Sequence, residues 1–342
     1  MEVLPMPQNL KKYFPMIQTR EEILHCINTH AHLQEIFEKW KPKEQTDFLD
    51  ICTGVHGVKT LYDAFFKEIM NPEYAPQRLN DFLSLILNKT VRVMKVLPND
   101  SSRLTDESSL LIMDIVVEFE DRSIGNIEVQ KLGYLFPGQR SACYSADLLL
   151  RQYKRLRDEK EAKFSYRDIQ SVYTIVLFEK SPKEFQLCPE NYLHHLILKA
   201  DTGIEIDMPQ KFVYITLDIF RKKQQNEGDG IHSKLEAWLT FFCRDEPEMI
   251  LKLIRQYPEF KPLYADVYEL CRNMEEIMQI FSKELLEMDR NTVKLMIDEM
   301  QEEIQNKEQT ISAQARIIES QNNNVESLMN RIAELEKELS QK

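Results

Sequence analysis

The sequence predicts an α/β core, then a helical region, then a C-terminal coiled coil. Three observations predict it. Short runs rich in Leu, Ile and Val, bounded by polar turns, occupy the middle of the chain and read as buried strands. Stretches with apolar residues at helical spacing flank those runs on both sides. The final stretch carries an apolar residue every seven positions without a miss.

Size and composition are consistent with this outline. The 342 residues allow two or three domains, and 43% apolar residues supply at least one large core. Charged residues make up 29% and glycine only 8 positions, so few turns demand a positive φ and much of the chain should be helical. The formal charge of −12 argues against wholesale coating of nucleic acid but leaves room for a local basic site. No apolar run approaches the roughly 18 residues of a membrane span. Residues 1–16 are broken by Pro5, Pro7 and Pro15 and hold no apolar signal core. Six scattered cysteines, with no C-x-x-C, point to a reducing, cytoplasmic protein, and the lack of a long apolar run points to no membrane partner.

Residues 19–41 read as one helix, with Thr19 as N-cap and Ile23, Ile27, Leu33 and Phe37 on its apolar face. A second helix spans about 61–70, stopped by Asn71-Pro72, and a third spans 76–87. Residues 109–119 read as a strand, Glu120-Asp121-Arg122-Ser123 as a turn, and 124–132 as the return strand of a hairpin. A helix follows from Pro137 to about Arg157. Residues 172–178 and 212–219 are two further buried strands, separated by a loop-rich region. Beyond Glu227-Gly228-Asp229-Gly230 the pattern is helical throughout. These breaks divide the chain into segments 1–60, 61–225, 231–285 and 286–342.

The tail carries Ile297, Ile304, Ile311, Ile318, Val325, Ile332 and Leu339 at a positions. β-Branched a residues favour a parallel dimer, while polar d positions such as Lys307, Gln314 and Gln321 weaken the seam and fix its register. The same stripe also suits a long helix packing on its own domain. From Glu284 onward thirteen acidic residues face seven basic ones, so this segment carries half of the net charge. Locally, Arg151-Gln152-Tyr153-Lys154-Arg155-Leu156-Arg157 is basic.

The hairpin carries the chemistry. Side chains on a strand alternate faces, so Asp114 is a carboxylate embedded in an apolar strand, an expensive placement unless it is paired or binds a cation. Glu128 and Gln130 share a face of the return strand, and a hairpin can set that face beside Asp114. Two carboxylates, with the backbone carbonyl of Val129, make an oxygen donor set for Mg²⁺, which keeps waters and takes substrate phosphate. The same spacing also suits a structural network with Arg140 or Arg151.

The residues around the hairpin resemble a known family. They are Leu61-Tyr62-Asp63-Ala64-Phe65-Phe66-Lys67, Leu110-Leu111-Ile112-Met113-Asp114-Ile115-Val116-Val117, Asn126-Ile127-Glu128-Val129-Gln130, Gly133-Tyr134-Leu135-Phe136-Pro137-Gly138-Gln139-Arg140, and Cys143-Tyr144-Ser145-Ala146-Asp147-Leu148-Leu149-Leu150-Arg151-Gln152-Tyr153. The ordered set resembles the PD-(D/E)XK nuclease superfamily, specifically its nuclease family transposases, related to the Rpn recombination-promoting nucleases. It covers roughly residues 13–220. The resemblance implies a restriction-endonuclease-like fold, a mixed central sheet flanked by helices, for residues 61–225. It implies a metal-dependent DNA endonuclease with Mg²⁺, or Mn²⁺ as substitute, held by Asp114 and Glu128. Asp63 matches an acidic position that the family adds from an N-terminal helix; an i,i+4 pair with Lys67 is the plainer reading. The superfamily lysine is Gln130 here, which can orient water but brings no charge. Lys67, Arg140 or the metal would supply the missing charge. Lys131 points to the other face.

Arg140, Tyr144, Asp147, Arg151 and Lys154 fall on one side of the helix after the hairpin. Arg140, Tyr144 and Arg151 would hold DNA phosphates, or the face is simply solvated. The cluster of His25, Cys26, His30 and His32 matches no common zinc spacing, and His194-His195 reads as a helix or loop surface. No glycine-rich phosphate loop or nucleophile elbow is present. The partners expected are therefore DNA and a second copy of the chain through the coiled coil. The competing expectation is a weak or inactive nuclease-like module that oligomerises and binds nucleic acid or protein.

Overall fold

Six strands form one mixed sheet: β1 (Val93–Val96), β2 (Ile115–Phe119), β3 (Ile124–Gln130), β4 (Val172–Phe178), β5 (Leu193–Leu196) and β6 (Gln210–Thr216), in the order β1-β2-β3-β4-β6-β5. The computed structural model describes residues 10–97, 114–131 and 137–340. β1, β2 and β3 pair antiparallel, β3, β4 and β6 pair parallel, and β5 returns antiparallel to β6. Parallel neighbours need a crossover, and the helix α6 (Pro137–Lys160), numbered in chain order with those below, carries the chain from β3 to β4. The expected hairpin turn is present, with Asp121 accepting from the Ser123 amide at 3.0 Å and Arg122 at φ 67°.

Each face of the sheet has its own cover. Ile115, Val117, Phe119, Ile127, Ile175, Leu177, Val213 and Ile215 belong to the main core. That core also takes in the flanking helices α1 (Arg20–Thr29), α2 (Ala31–Lys39), α3 (Pro42–Cys52), α4 (Asp63–Ile69) and α5 (Pro76–Leu87). It continues through α7 (Leu217–Asn226), α8 (Lys234–Cys243), α9 (Pro247–Gln256), α10 (Lys261–Leu270) and the start of α11 (Met274–Ser340). The other face packs on α6, where Val116, Ile124 and Val172 meet Tyr144 and Leu148. Gly125 leaves room for the Phe119 ring on the neighbouring strand, since a Cβ there would lie 2.6 Å from it.

A mixed sheet flanked by helices is the expected architecture, and several boundaries moved. The 19–41 helix is two helices, broken at His30 with an extended φ of −120° and ψ of 105°. Thr29 Oγ1 and His30 Nδ1 both bond the Cys26 carbonyl, at 3.0 and 2.8 Å, so side chains take over the last turn of the backbone ladder. Thr19 is the N-cap as expected, in a capping box with Glu22. The 212–219 strand ends at Thr216, and Leu217-Asp218 open α7 instead. The return strand ends at Gln130. The strand at 109–119 is seen from Ile115; residues 109–113 and 133–136 of the motifs lie outside the described residues. His194-His195 lie on the edge strand β5, not on a helix or loop.

The chain divides into two compact units, Met1–Glu287 and Met288–Lys342. Within the second unit the helix exposes Ile297, Ile304, Ile311, Ile318, Val325 and Ile332, Ile297 at 43% and Ile311 at 63%. No helix among the described residues is long and apolar enough to cross a membrane.

Candidate active site

The hairpin brings Asp114 and Glu128 together. Ile115 pairs with Ile127, so Asp114, in the bend just before β2, stands opposite Glu128. The two residues clasp each other. The Asp114 amide donates to Glu128 Oε1 at 3.0 Å, and the Val129 amide donates to Asp114 Oδ2 at 2.9 Å. Asn126 Nδ2 donates to the same glutamate oxygen at 3.2 Å. Glu128 is 4% exposed, and the guanidinium of Arg140 comes no nearer than 4.0 Å. Burial, followed by the negative charge of Asp114, pushes the Glu128 carboxyl up to about 8. Burial likewise raises Asp114, opposed by the Val129 amide and the charge of Lys67.

Helix α4 delivers Asp63 and Lys67 to the same place. The ammonium of Lys67 lies 2.8 Å from Asp63 and 3.2 Å from Asp114, so it bridges the helix to the hairpin. The i,i+4 pair and the site placement of Asp63 therefore coexist. Burial would lower Lys67, but its hydrogen bond to Asp63 and the charge of Asp114 outweigh that and raise it.

The support behind α4 was not legible in the sequence. Glu284 on α11 is 2% exposed; it accepts from the Asp63 amide at 2.9 Å and pairs with Lys131. Lys131 also reaches Glu287 at 3.3 Å, which confirms that it faces away from Glu128. These contacts join residues 153 and 221 apart, so no local pattern announces them.

On α6, Arg140 donates from Nε to the Tyr144 hydroxyl at 2.7 Å and lies over its ring, 5.3 Å from the centroid. Tyr144 is buried, so it braces Arg140 and does not itself face outward. Burial raises its phenol to about 12. Arg151 lies eleven residues on, about 16 Å along the helix, where it pairs with Asp147 at 2.7 Å. The structure thus joins Asp63, Lys67, Asp114, Glu128 and Arg140 in one network, and sets Arg151 apart from it. Gln130 shares the Glu128 face; its Nε2 is enclosed and meets no hydrogen-bond partner among the described residues. Among those residues no three His, Cys, Asp or Glu side chains converge as a metal site. The candidate donor set is the Asp114 and Glu128 pair with backbone oxygen.

The family model of PD-(D/E)XK nuclease family transposases matches residues 60–300. The chain belongs to that family. The match begins later and ends later than the resemblance read from residues 13–220. It takes in α8, α9, α10 and the start of α11, the segment whose Glu284 holds α4 and Lys131. Membership in a PD-(D/E)XK nuclease family supports nuclease or transposase function in general, and nucleases of this kind generally use divalent metals. Among solved structures the chain is similar to the small subunit of a heterodimeric restriction endonuclease. The identity is 17%, the coverage 64% of this chain and 96% of that one, and the TM-score 0.16. No curated protein matches the chain.

Proposed function

We propose that the chain is a metal-dependent DNA endonuclease that hydrolyses phosphodiester bonds, in the manner of a recombination-promoting nuclease or transposase. One observation carries this reading. Glu128 is buried and Asp114 half-buried in a single clasp, with less cationic charge nearby, among the described residues, than two carboxylates require. The donors fit a hard divalent ion, since all are oxygen atoms, and the enclosed Gln130 amide stands beside them on the same face. Asp114, Glu128 and the Val129 carbonyl would hold Mg²⁺, with Mn²⁺ a substitute of the same oxygen chemistry. A bound ion of this kind polarises the scissile phosphate and lowers the pKa of a water.

The chain's own residues divide the remaining work. Gln130 orients a water through its amide. Lys67 brings the positive charge that Gln130 lacks and offsets negative charge as it builds on the phosphate. Asp63 holds the Lys67 ammonium in place. Arg140, braced by Tyr144, takes the phosphate backbone, a contact that positions DNA without reading sequence. Arg151 extends the same helix face. The exposed heptad of α11 pairs two copies as a coiled coil, which suits cutting both strands of a duplex.

The test is plasmid nicking with and without Mg²⁺, wild type beside Asp114→Ala. Metal-dependent cutting that vanishes in the variant is expected. No cutting by folded wild-type protein, with Mg²⁺ or Mn²⁺, would overturn the reading. It would favour the second one, a nuclease-like binding module, on the observation that Lys67 already bridges Asp63 and Asp114. For the tail, truncation before Asn291 should yield a monomer by light scattering, and an unchanged mass would refute the coiled coil.

A further inference from the structure

A second feature of α6 lies at the end remote from Arg140. An open groove of about 620 Å³ runs between the C-terminal half of the helix and the starts of β4 and β6. Leu149, Tyr153, Tyr166, Ile169, Met208 and Pro209 line it. Its wall is aromatic and held in place. The rings of Tyr153 and Tyr166 are nearly parallel, 13° apart with centroids at 6.1 Å, and Phe164 meets both edge-on. Tyr166 is nonetheless 75% exposed. The short turn that carries it is fixed by Ser165 and Asp168, which cap one another, and by a 2.6 Å ion pair from Lys160 to Asp168. An exposed ring held by its surroundings presents a flat apolar face at little entropic cost on binding.

Its surroundings are basic. Residues 151–167 hold seven Lys or Arg against three Asp or Glu, of which Arg151, Arg155 and Lys160 are paired with Asp147, Glu118 and Asp168 outside that stretch. Arg157 lies 5.8 Å from the Tyr153 centroid and donates to its hydroxyl at 2.5 Å. The one lining carboxylate, Asp207, is paired with Lys211. A flat aromatic face inside a cationic rim is the recognition chemistry of an unpaired nucleobase with its phosphates. Tyr153 follows Arg140 by thirteen residues on one continuous helix, about 20 Å of rise.

We propose that this groove is a stacking subsite for an unpaired base of single-stranded DNA, distinct from the carboxylate site. The proposal rests on the nuclease reading only for the choice of DNA as ligand. Its test needs no catalysis. Full-length protein in EDTA is titrated into a fluorescein-labelled oligothymidylate and, separately, into a duplex of equal length, with anisotropy as readout. Tyr166→Ala should weaken single-strand binding by about tenfold or more, Tyr166→Trp should restore it, and duplex binding should change by less than about twofold. Unchanged single-strand affinity in Tyr166→Ala overturns the proposal and leaves the groove to a protein partner. An equal loss on both DNAs also overturns it, as does wild-type protein that binds only duplex. Plasmid nicking is scored separately, so a nuclease failure with the Tyr166 effect intact sinks the catalytic reading alone.

Discussion

Two glutamates on one face of the same hairpin are buried to the same degree and treated in opposite ways. Glu118 on β2 is 5% exposed and Glu128 on β3 is 4% exposed. Glu118 is met by three cations from three elements: Arg155 at 2.6 Å, Arg122 at 3.1 Å and Lys95 at 3.4 Å. Glu128 is met by two N–H donors, by one arginine at 4.0 Å, and by the negative charge of Asp114. Burial alone therefore does not mark a functional carboxylate. A carboxylate whose charge is fully answered within the fold is architecture, whereas one set beside another carboxylate is the candidate for the proposed metal site.

Exchanging the fates of the two residues gives the largest expected effects. Glu128→Ala should lower Mg²⁺-dependent nicking by about a thousandfold or more, with a melting temperature equal to or above wild type. Glu118→Ala should do the reverse. It should retain cleavage while losing about 3 kcal/mol of stability, the low end for a broken buried pair, because Lys95 and Arg122 remain half in water. Full activity in Glu128→Ala, or an unstable Glu128→Ala beside a stable Glu118→Ala, would erase the distinction.

Lys67 sharpens the comparison, because its contacts admit either role. As the charge that Gln130 lacks, its removal in Lys67→Met should cost about a hundredfold in turnover with little change in KM or melting. As a mere counter-ion to Asp63 and Asp114, its removal should lower the melting temperature and leave turnover of the surviving folded protein near wild type. Single-turnover nicking beside a thermal melt separates the two. Glu284→Gln should give a smaller loss, about tenfold, since it loosens the start of α4 without touching the hairpin.

The contrast also explains what the sequence could and could not disclose. Period-two alternation sufficed to put Asp114 beside Glu128 and to turn Lys131 away, because a hairpin is a local object. Helix α5 (Pro76–Leu87) and the Thr19 cap were legible for the same reason. The edge strands β1 and β5 were not, being four residues each with too few positions to show a period. The run from Phe212 to Ile219 is apolar throughout, and such a run does not reveal where strand gives way to helix. Glu118 and Glu284 escaped notice because their partners arrive from distant elements: Arg155 from α6, and Lys131 across 153 residues. Sequence spacing brought Asp114 and Glu128 together, and tertiary packing supplied the contacts around them.

The smallest expected effect is a slope of stability with pH. In the folded chain without metal, Glu128 keeps a proton from its ordinary 4.5 up to about 8, a range in which the unfolded chain has lost it. The folded state thus binds more protons in that window, so stability falls as pH rises through it. Asp114, raised in the same sense by burial, adds to the fall. Glu128→Gln removes the titrating group, and its melting curve in EDTA should be flatter across the window and higher at the alkaline end. In the proposed site Mg²⁺ would take the ionised carboxylates, so its stabilisation of the wild type should be greater at the alkaline end than at the acid end, with proton release on binding. Parallel pH slopes for wild type and Glu128→Gln would mean that Glu128 is answered within the fold as fully as Glu118, and the difference between the two glutamates would then lie only in their neighbours' identities.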